Sequence, residues 1–296
     1  MHLGNAQTAL LAWLHAREHG GRFVLRIEDL DPTRARAGME EVAILDLRWL
    51  GLDWDEGPDI GGPFTPYRQS ERSATYQDLL ARLPTYPCSC SRTDVRTASA
   101  APHEGQTVTR YPGTCRLAPT RPDRPCAWRI VVPDGLFVVE DLVLGRLCDD
   151  VSHSSGDFVV RRADGAWAYN LAVVADDAAM QVTHVIRGED LAPSALRQAV
   201  IYGLAGFRPP IFAHVPLRRD YQGQRLAKRG GAPSLAALRC GGADPTEVVA
   251  QLAASLGWTA ATRATPTDLI GRAGPYLAQL RAERADLSGR QATRTL

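Results

Sequence analysis

Three sets of residues in this 296-residue chain have the types and spacing to do chemistry. The first is His2-Leu3-Gly4-Asn5, which stands just ahead of a helix-compatible stretch. A histidine beside a glycine at a helix N-terminus offers a neutral donor and free backbone N–H groups to a nucleotide phosphate, and the glycine lets the ligand approach the backbone closely. His2, Gly4 and Asn5 are therefore candidate ATP-binding residues. The second is Arg225-Leu226-Ala227-Lys228-Arg229, a basic loop after Asp220-Tyr221-Gln222-Gly223-Gln224. Its lysine can reach the α-phosphate of ATP and stabilise the charge that develops as pyrophosphate leaves. Lys228 is also the single lysine among 34 basic side chains, which marks a position where a compact, flexible charge does what a planar arginine fork cannot. The third set is Cys88-Ser89-Cys90 with Tyr111 and Cys115. Three thiolates and a phenolate oxygen can complete a tetrahedral zinc shell, and His103 or Cys126 could stand in for Tyr111 as the fourth ligand. Taken singly, each set has a plain alternative: an ordinary chain end, a basic surface turn, small buried thiols.

The elements that must position these residues are legible from periodicity. Asn5 is a plausible cap for a helix from Ala6 to His19 that carries Leu10, Leu11 and Leu14 and ends at Gly20-Gly21. A strand follows over Arg22 to Glu28. Asp31-Pro32 then caps and opens a helix with Val42, Leu45 and Trp49 on one face and Ile44, Leu47 and Leu50 beside them. Ser70 can cap a helix running to about Leu83. From Pro84 to about Asp134 the composition shifts to Pro, Arg, Cys and Thr with weak periodicity, the signature of an inserted module. Patterning resumes at Phe158 to Arg162, and Asp164-Gly165 predicts a hairpin into a strand from Trp167 to Val174. Next come a strand at Val182 to Ile186, a helix at Ser194 to Leu204, a strand at Ile211 to Val215 and the basic loop. Apolar spacing at Val248, Leu252 and Leu256, and again at Leu269, Tyr276, Leu277 and Leu280, predicts a helical tail. Helices alternating with strands predict α/β layering with parallel strands.

Composition excludes several classes. A formal charge of +1 and 45% hydrophobic residues rule out a disordered or acidic-tail protein. No run of 18 apolar residues predicts a membrane span, and the N-terminus lacks a secretory layout, so a cytoplasmic protein is expected. Six cysteines in a chain this long do not make a disulfide scaffold, and a close pair in a reducing compartment points to metal. Residues 82 to 129 hold eight arginines against Asp94, Glu104 and Asp123, a local basic surface suited to a polyanion.

In order and spacing these elements resemble the class I aminoacyl-tRNA synthetases of the glutamyl branch. HLGNAQTALLAWLHAREHGGRFVLRIEDLDPTR resembles that branch's HIGH region and its following RIED strand; YNLAVVADD and HVIRGEDL resemble its second half; QGQRLAKR takes the place of the KMSKS loop. The likeness covers roughly residues 2 to 230. Within the branch it is strongest to the glutamyl-queuosine tRNA(Asp) synthetases, because few residues follow Arg229 and a zinc-type cluster lies in the insertion. The resemblance implies a Rossmann-like nucleotide-binding α/β domain in two halves, residues 1–83 and 156–230, split by a zinc-containing module at 84–155 and followed by a helical tail at 231–296. It implies one structural Zn²⁺ on Cys88, Cys90, Tyr111 and Cys115, and ATP with Mg²⁺ at His2, Gly4, Asn5 and Lys228, with His2 and Lys228 catalytic. It places glutamate against Glu28, Tyr169 and Arg187: Arg187 can pair with a carboxylate, Tyr169 can hydrogen-bond it, and Glu28 can accept from the ammonium group. The implied activity is ATP-dependent activation of glutamate and transfer to queuosine in tRNA(Asp), with no protein partner and no membrane. A truncated glutamyl-tRNA synthetase charging tRNA(Glu), or a non-catalytic tRNA- or nucleotide-binding module, are the alternatives.

The chain departs from the family in two places. The family carries a strand and loop reading roughly RFAPSPTG before the HIGH region, whereas only Met1 precedes His2 here. The first strand of the nucleotide fold is thus expected to be missing, with a substrate-clamping arginine, and the biological start to lie upstream. In the basic loop, Arg225 stands for the family's first lysine and Ala227 for its serine, while Lys228 is kept.

Overall fold

A computed structural model describes residues 1–31, 38–98, 110–216, 233–258 and 262–292. The first helix, α1, spans Leu3–Glu18 and buries Ala6, Leu10, Leu11, Trp13 and Leu14. His2, not Asn5, is its N-cap residue, so Asn5 lies within the first turn. The helix stops where Gly20 turns into the left-handed region at φ 61° and Gly21 donates back to the Ala16 carbonyl.

Residues 22–28 make two isolated parallel bridges, Val24 to Glu56 and Ile27 to Arg68, in place of the expected strand. Leu25 and Ile27 donate to the Glu56 and Tyr67 carbonyls, and residues 21–26 also line a groove. Helix α2 is Met39–Trp49, capped by Gly38 at φ 79°. The expected start at Asp31-Pro32 reaches into residues 32–37, outside the described ones. Its buried face is also displaced from the expected one, because Leu47 and Leu50 enter the core whereas Val42 and Leu45 are exposed. Periodicity fixes the spacing of apolar positions and leaves the direction of the core to tertiary packing.

A 3₁₀ turn at Gln69–Glu71 precedes α3, Ser73–Ala81. Ser70 binds Asp29 through its N–H (2.8 Å) and hydroxyl (2.6 Å) and caps no α-helix. The insertion follows as β1 (Thr85–Cys88), α4 (Arg92–Ala98), β2 (Ala127–Ile130), β3 (Phe137–Asp141), β4 (Gly145–Asp149) and α5 (Val151–Ser154). Beyond it run β5 (Val159–Arg161), α6 (Tyr169–Ala179), β6 (His184–Gly188), α7 (Ala192–Ala205) and β7 (Ile211–Val215). The tail is α8 (Leu235–Cys240), α9 (Pro245–Ser255) and α10 (Ala273–Ala292), as its spacing predicts.

One sheet is antiparallel in the order β1-β2-β5, and the other is mixed in the order β4-β3-β7-β6, with β6 and β7 parallel over five residue pairs. The Asp164-Gly165 turn forms, with Gly165 at φ 87°, but its far arm pairs only once, Arg161 to Trp167, before α6 begins. Residues 169–174 are helical where a strand is expected. Leu171 to Ala175 are buried on every side, and a continuous apolar run has no period that separates strand from helix.

The larger core gathers α1, α2 and the three tail helices; a second gathers α3, β2, α6 and α7; a small one in the insertion holds Tyr86, Cys88, Tyr111 and Cys115. The tail is tied down by Glu18, which accepts from the Gly271, Ala273 and Gly274 N–H groups at 2.7–2.9 Å, an anion at the N-terminus of α10. Among the described residues no helix is long and apolar enough to cross a membrane.

Candidate active site and metal centre

Arg187 lies near the end of β6, where open α/β sheets present ligands. It is buried, and its Nε donates to His214 Nε2 at 3.0 Å, its Nη2 to Gln198 Oε1 at 3.0 Å and the Leu191 carbonyl at 3.4 Å, and its Nη1 to the Tyr169 hydroxyl at 3.4 Å. Phe212 lies under the guanidinium, 4.7 Å from centroid to carbon. Every one of these partners is neutral. Among the described residues no carboxylate pairs with Arg187, although burying an uncompensated charge is expensive.

Tyr169 is the first residue of α6, and burial raises its phenol, with the Glu28 charge adding to the rise and the Arg187 charge opposing it. Glu28 accepts from Arg26 Nη2 at 3.1 Å, and Arg26 Nη1 donates to Asp177 at 2.7 Å. Burial works against the Arg26 cation, but Asp177, Glu28 and Asp176 together push its pKa up. The fold thus brings Glu28, Tyr169 and Arg187 to one place. Asp176, fully buried, ties α6 to α3 and the loop before it, accepting from Arg72 Nε (2.6 Å), Gln69 Nε2 (2.8 Å) and the Tyr76 hydroxyl (2.9 Å). Sequence reasoning missed Arg26, Asp176, Asp177 and His214; the signal it passed over is charged or titratable residues standing inside otherwise apolar runs.

His2 bridges Ser234, and among the described residues no hydrogen bond joins it to Arg187. The Leu3, Gly4 and Asn5 N–H groups precede the first bond of α1, from Ala6 N–H to the His2 carbonyl at 3.0 Å. Among the described residues a Cβ built on Gly4 meets nothing within 4 Å, so their packing does not require glycine there. Lys228, Arg225 and Ala227 fall in residues 217–232, outside the described ones.

A groove of about 570 Å³ separates residues 22–26 from residues 182–186, floored by Ala12, His15 and Ala16 of α1. His15 brings its ring to 4.4 Å from His19 and 5.1 Å from His184. Burial lowers its pKa to about 4, and the neighbouring His19 and His184 rings add to the fall.

In the insertion the Cys88, Cys90 and Cys115 sulfurs lie within 4.8 Å of one another. The Tyr111 hydroxyl stands 3.3 Å from Cys88 Sγ and 3.8 Å from Cys90 Sγ, and accepts from the Cys115 N–H at 2.9 Å. Burial pushes the Cys115 thiol up, but hydrogen bonds from Thr120 and Tyr111 outweigh it and bring it down to about 6; burial and the bond to Cys115 raise Cys90 to about 11. Three thiols and a phenol converging in this way fit a four-ligand metal site. Cys126 instead contacts the Arg124 carbonyl and is no part of the cluster, and His103 lies outside the described residues. Arg129 is buried against the cluster, with Nε 3.3 Å from Cys88 Sγ and its guanidinium 3.8 Å over the Tyr111 ring.

The basic character of the insertion is partly spent within the protein: Arg116 grips Asp157 at 2.6 Å, Arg121 pairs with Asp94 at 2.8 Å, and Arg129 is buried, while Arg92 and Arg124 stay exposed.

The model of the class I tRNA synthetase (E and Q) catalytic domain matches residues 1–273. The chain belongs to this family. As a class I synthetase it is 51% identical over 268 residues to the glutamyl-Q tRNA(Asp) synthetase of Symbiobacterium thermophilum, covering 86% of this chain and 82% of that one. It is 51% identical over 263 residues to the corresponding protein of Deinococcus radiodurans, covering 87% and 85%. The crystal structure of the glutamate-tRNA synthetase from Elizabethkingia anophelis matches with a TM-score of 0.75 at 29% identity over 91% of this chain. The synthetase chain described here spans 62% of the length of that structure.

Proposed function

We propose that the protein is a ligase that uses ATP and Mg²⁺ to activate glutamate and then transfers the glutamyl group to queuosine in tRNA(Asp). The reading rests on the glutamyl-Q tRNA(Asp) synthetases that share half its residues, and one structural observation carries it to a site: Arg187 is a buried cation with only neutral partners, so a substrate carboxylate completes it. Tyr169 adds a hydroxyl to the same group and Glu28 accepts from the substrate ammonium.

A glutamate α-carboxylate oxygen attacks the α-phosphorus, the bond to the bridging oxygen breaks and pyrophosphate leaves; queuosine then displaces AMP from the acyl carbon. No covalent enzyme intermediate is needed, so positioning and charge stabilisation do the work. His2, with the Leu3, Gly4 and Asn5 N–H groups, faces the nucleotide phosphates, and Lys228 comes from the basic loop. Mg²⁺ arriving with ATP supplies further charge neutralisation. One Zn²⁺ on Cys88, Cys90, Cys115 and Tyr111 fastens residues 84–155, whose exposed arginines face tRNA phosphates. The work is done in the cytoplasm, where the acceptor is.

The groove between residues 22–26 and 182–186 supports the expectation of a further strand in the nucleotide fold. Among the described residues β6 pairs only with β7, and Leu25 and Ile27 donate away from β6 to the Glu56 and Tyr67 carbonyls, so a strand could lie between the two walls of the groove. A protein extended by a strand ahead of His2 should melt at a higher temperature; an unchanged midpoint rules the strand out.

The decisive experiment charges three acceptors with labelled glutamate: tRNA(Asp) with queuosine, tRNA(Asp) without it, and tRNA(Glu). Label only on the first is expected. Label on tRNA(Glu) shows a glutamyl-tRNA synthetase instead, and label on none shows a binding module.

A further inference from the structure

Behind Arg187 stands a chain of buried groups that runs away from the proposed substrate. His214 Nε2 accepts from Arg187 Nε at 3.0 Å, so the proton of its neutral ring is on Nδ1, which meets Asp141 Oδ2 at 2.5 Å. His214 and Asp141 have no exposed surface to speak of. Asp141 sits at the end of β3 and His214 one residue before the end of β7, so the contact crosses between neighbouring strands. Asp141 is held in turn by the N–H groups of Val143 (2.8 Å), Leu144 (2.7 Å) and His214 (3.2 Å). No substrate need reach any of these atoms.

The arrangement solves a conflict at the site. A buried guanidinium needs a counter-charge, but a carboxylate bound directly to it would occupy the fork that a substrate carboxylate must use. Interposing a neutral imidazole moves the counter-charge one residue back and claims only the Nε–H. Gln198 and the Leu191 carbonyl hold Nη2, and one N–H of Nη1 has no partner among the described residues. The same bond at Nε fixes the rotation of the guanidinium plane over Phe212.

We propose that Asp141 and His214 are positioning residues that aim the Arg187 fork at the carboxylate of the amino-acid substrate while balancing its charge from behind. The proposal rests on the reading of Arg187 as the carboxylate-binding residue.

Two variants of the full chain separate aiming from mere packing. In His214→Gln the amide oxygen can still accept from Arg187 Nε, whereas in His214→Asn the shorter side chain can satisfy Asp141 but not reach Arg187. Calorimetric titration should give a glutamate Kd within about threefold of the parent for His214→Gln and at least about tenfold weaker for His214→Asn, as expected for losing one charge-assisted bond. ATP affinity should be equal in both. Equal glutamate affinities for the two variants, even with equal loss of thermal stability, overturn the proposal. If the parent itself binds no glutamate, the reading of Arg187 fails, and the relay is still decided by a ¹⁵N-histidine spectrum of the parent. A neutral His214 ring protonated on Nδ1 is expected; a ring protonated on Nε2 overturns it.

Discussion

Arg129 in the insertion and Arg187 in the nucleotide fold are both buried strand arginines stacked on an aromatic ring, at 3.8 Å over Tyr111 and 4.7 Å over Phe212. They differ in what answers their charge. Arg129 touches a thiol of the cysteine cluster directly and gives its Nη1 to the Asp157 carbonyl. Arg187 reaches its carboxylate only through His214 and keeps part of its fork open. The first arrangement closes a small module whose apolar core amounts to Tyr86, Tyr111 and two cysteines; the second leaves room for a ligand in a body already held by its large apolar cores. A buried cation can therefore be a fastening or a receptor, according to how close its counter-charge stands.

Breaking the fastening should have the largest effect. The Cys88→Ser, Cys90→Ser variant should lose stoichiometric zinc by elemental analysis and lose protection from proteolysis across residues 84–130, while the body keeps its cooperative unfolding, because structural zinc is worth on the order of 10 kcal/mol of folding free energy. A parent protein purified without zinc removes the basis for this expectation. Breaking the receptor comes next. Arg187→Ala should lower kcat/KM for glutamate in ATP–pyrophosphate exchange about 10³-fold, about 4 kcal/mol, with the melting temperature little changed. An unaltered kcat/KM would end its role as receptor.

Arg129→Met keeps the apolar stem over Tyr111 and removes the charge beside Cys88. Chelator competition should show zinc held about 10-fold more weakly, the usual size of an effect from outside the ligand shell; equal affinity would make Arg129 a packing residue only. A third buried titratable group sharpens the contrast further. His15 has a pKa of about 4 in the fold against 6.5 for a free histidine, through burial and then through His19 and His184. The unfolded chain takes up that proton first on acidification, so stability should fall as pH drops from 6.5 towards 4 and level off below. The loss should amount to about 2 kcal/mol at most after solvent screening, and melting curves of His15→Leu should be flatter over the same window. The smallest effect belongs to Arg121 and Asp94, a half-exposed pair 2.8 Å apart: Arg121→Ala should leave the chemical-denaturation midpoint almost unmoved and the zinc content unchanged.

What could be read along the chain was local. The helix after His2, the strand Ile211–Val215, the helix before it and the tail follow from apolar spacing and glycine stops, and each stands within a few residues of its expected place. The three thiols were legible because Cys88 and Cys90 are neighbours in sequence and Tyr111 and Cys115 lie a turn apart. The hairpin arm expected over 167–174 failed because a run buried on all sides carries no periodicity, and β3 and β4 were hidden in a stretch whose composition reads as irregular.

By itself the sequence determined which chemical groups are available and, through matched motifs, the family: Glu28, Tyr169, Arg187 and the cysteine cluster are all named by local context. Only the tertiary structure decided which of them are joined and by whom. Asp141 and His214 lie 73 positions apart and meet because two strands come to lie side by side, a fact no local pattern contains. The same holds for the two walls of the groove and for the side of α2 that faces inward. Local propensity is a property of a few adjacent residues, whereas the balance of a buried charge depends on everything within a few ångströms of it, and those neighbours are supplied by the fold.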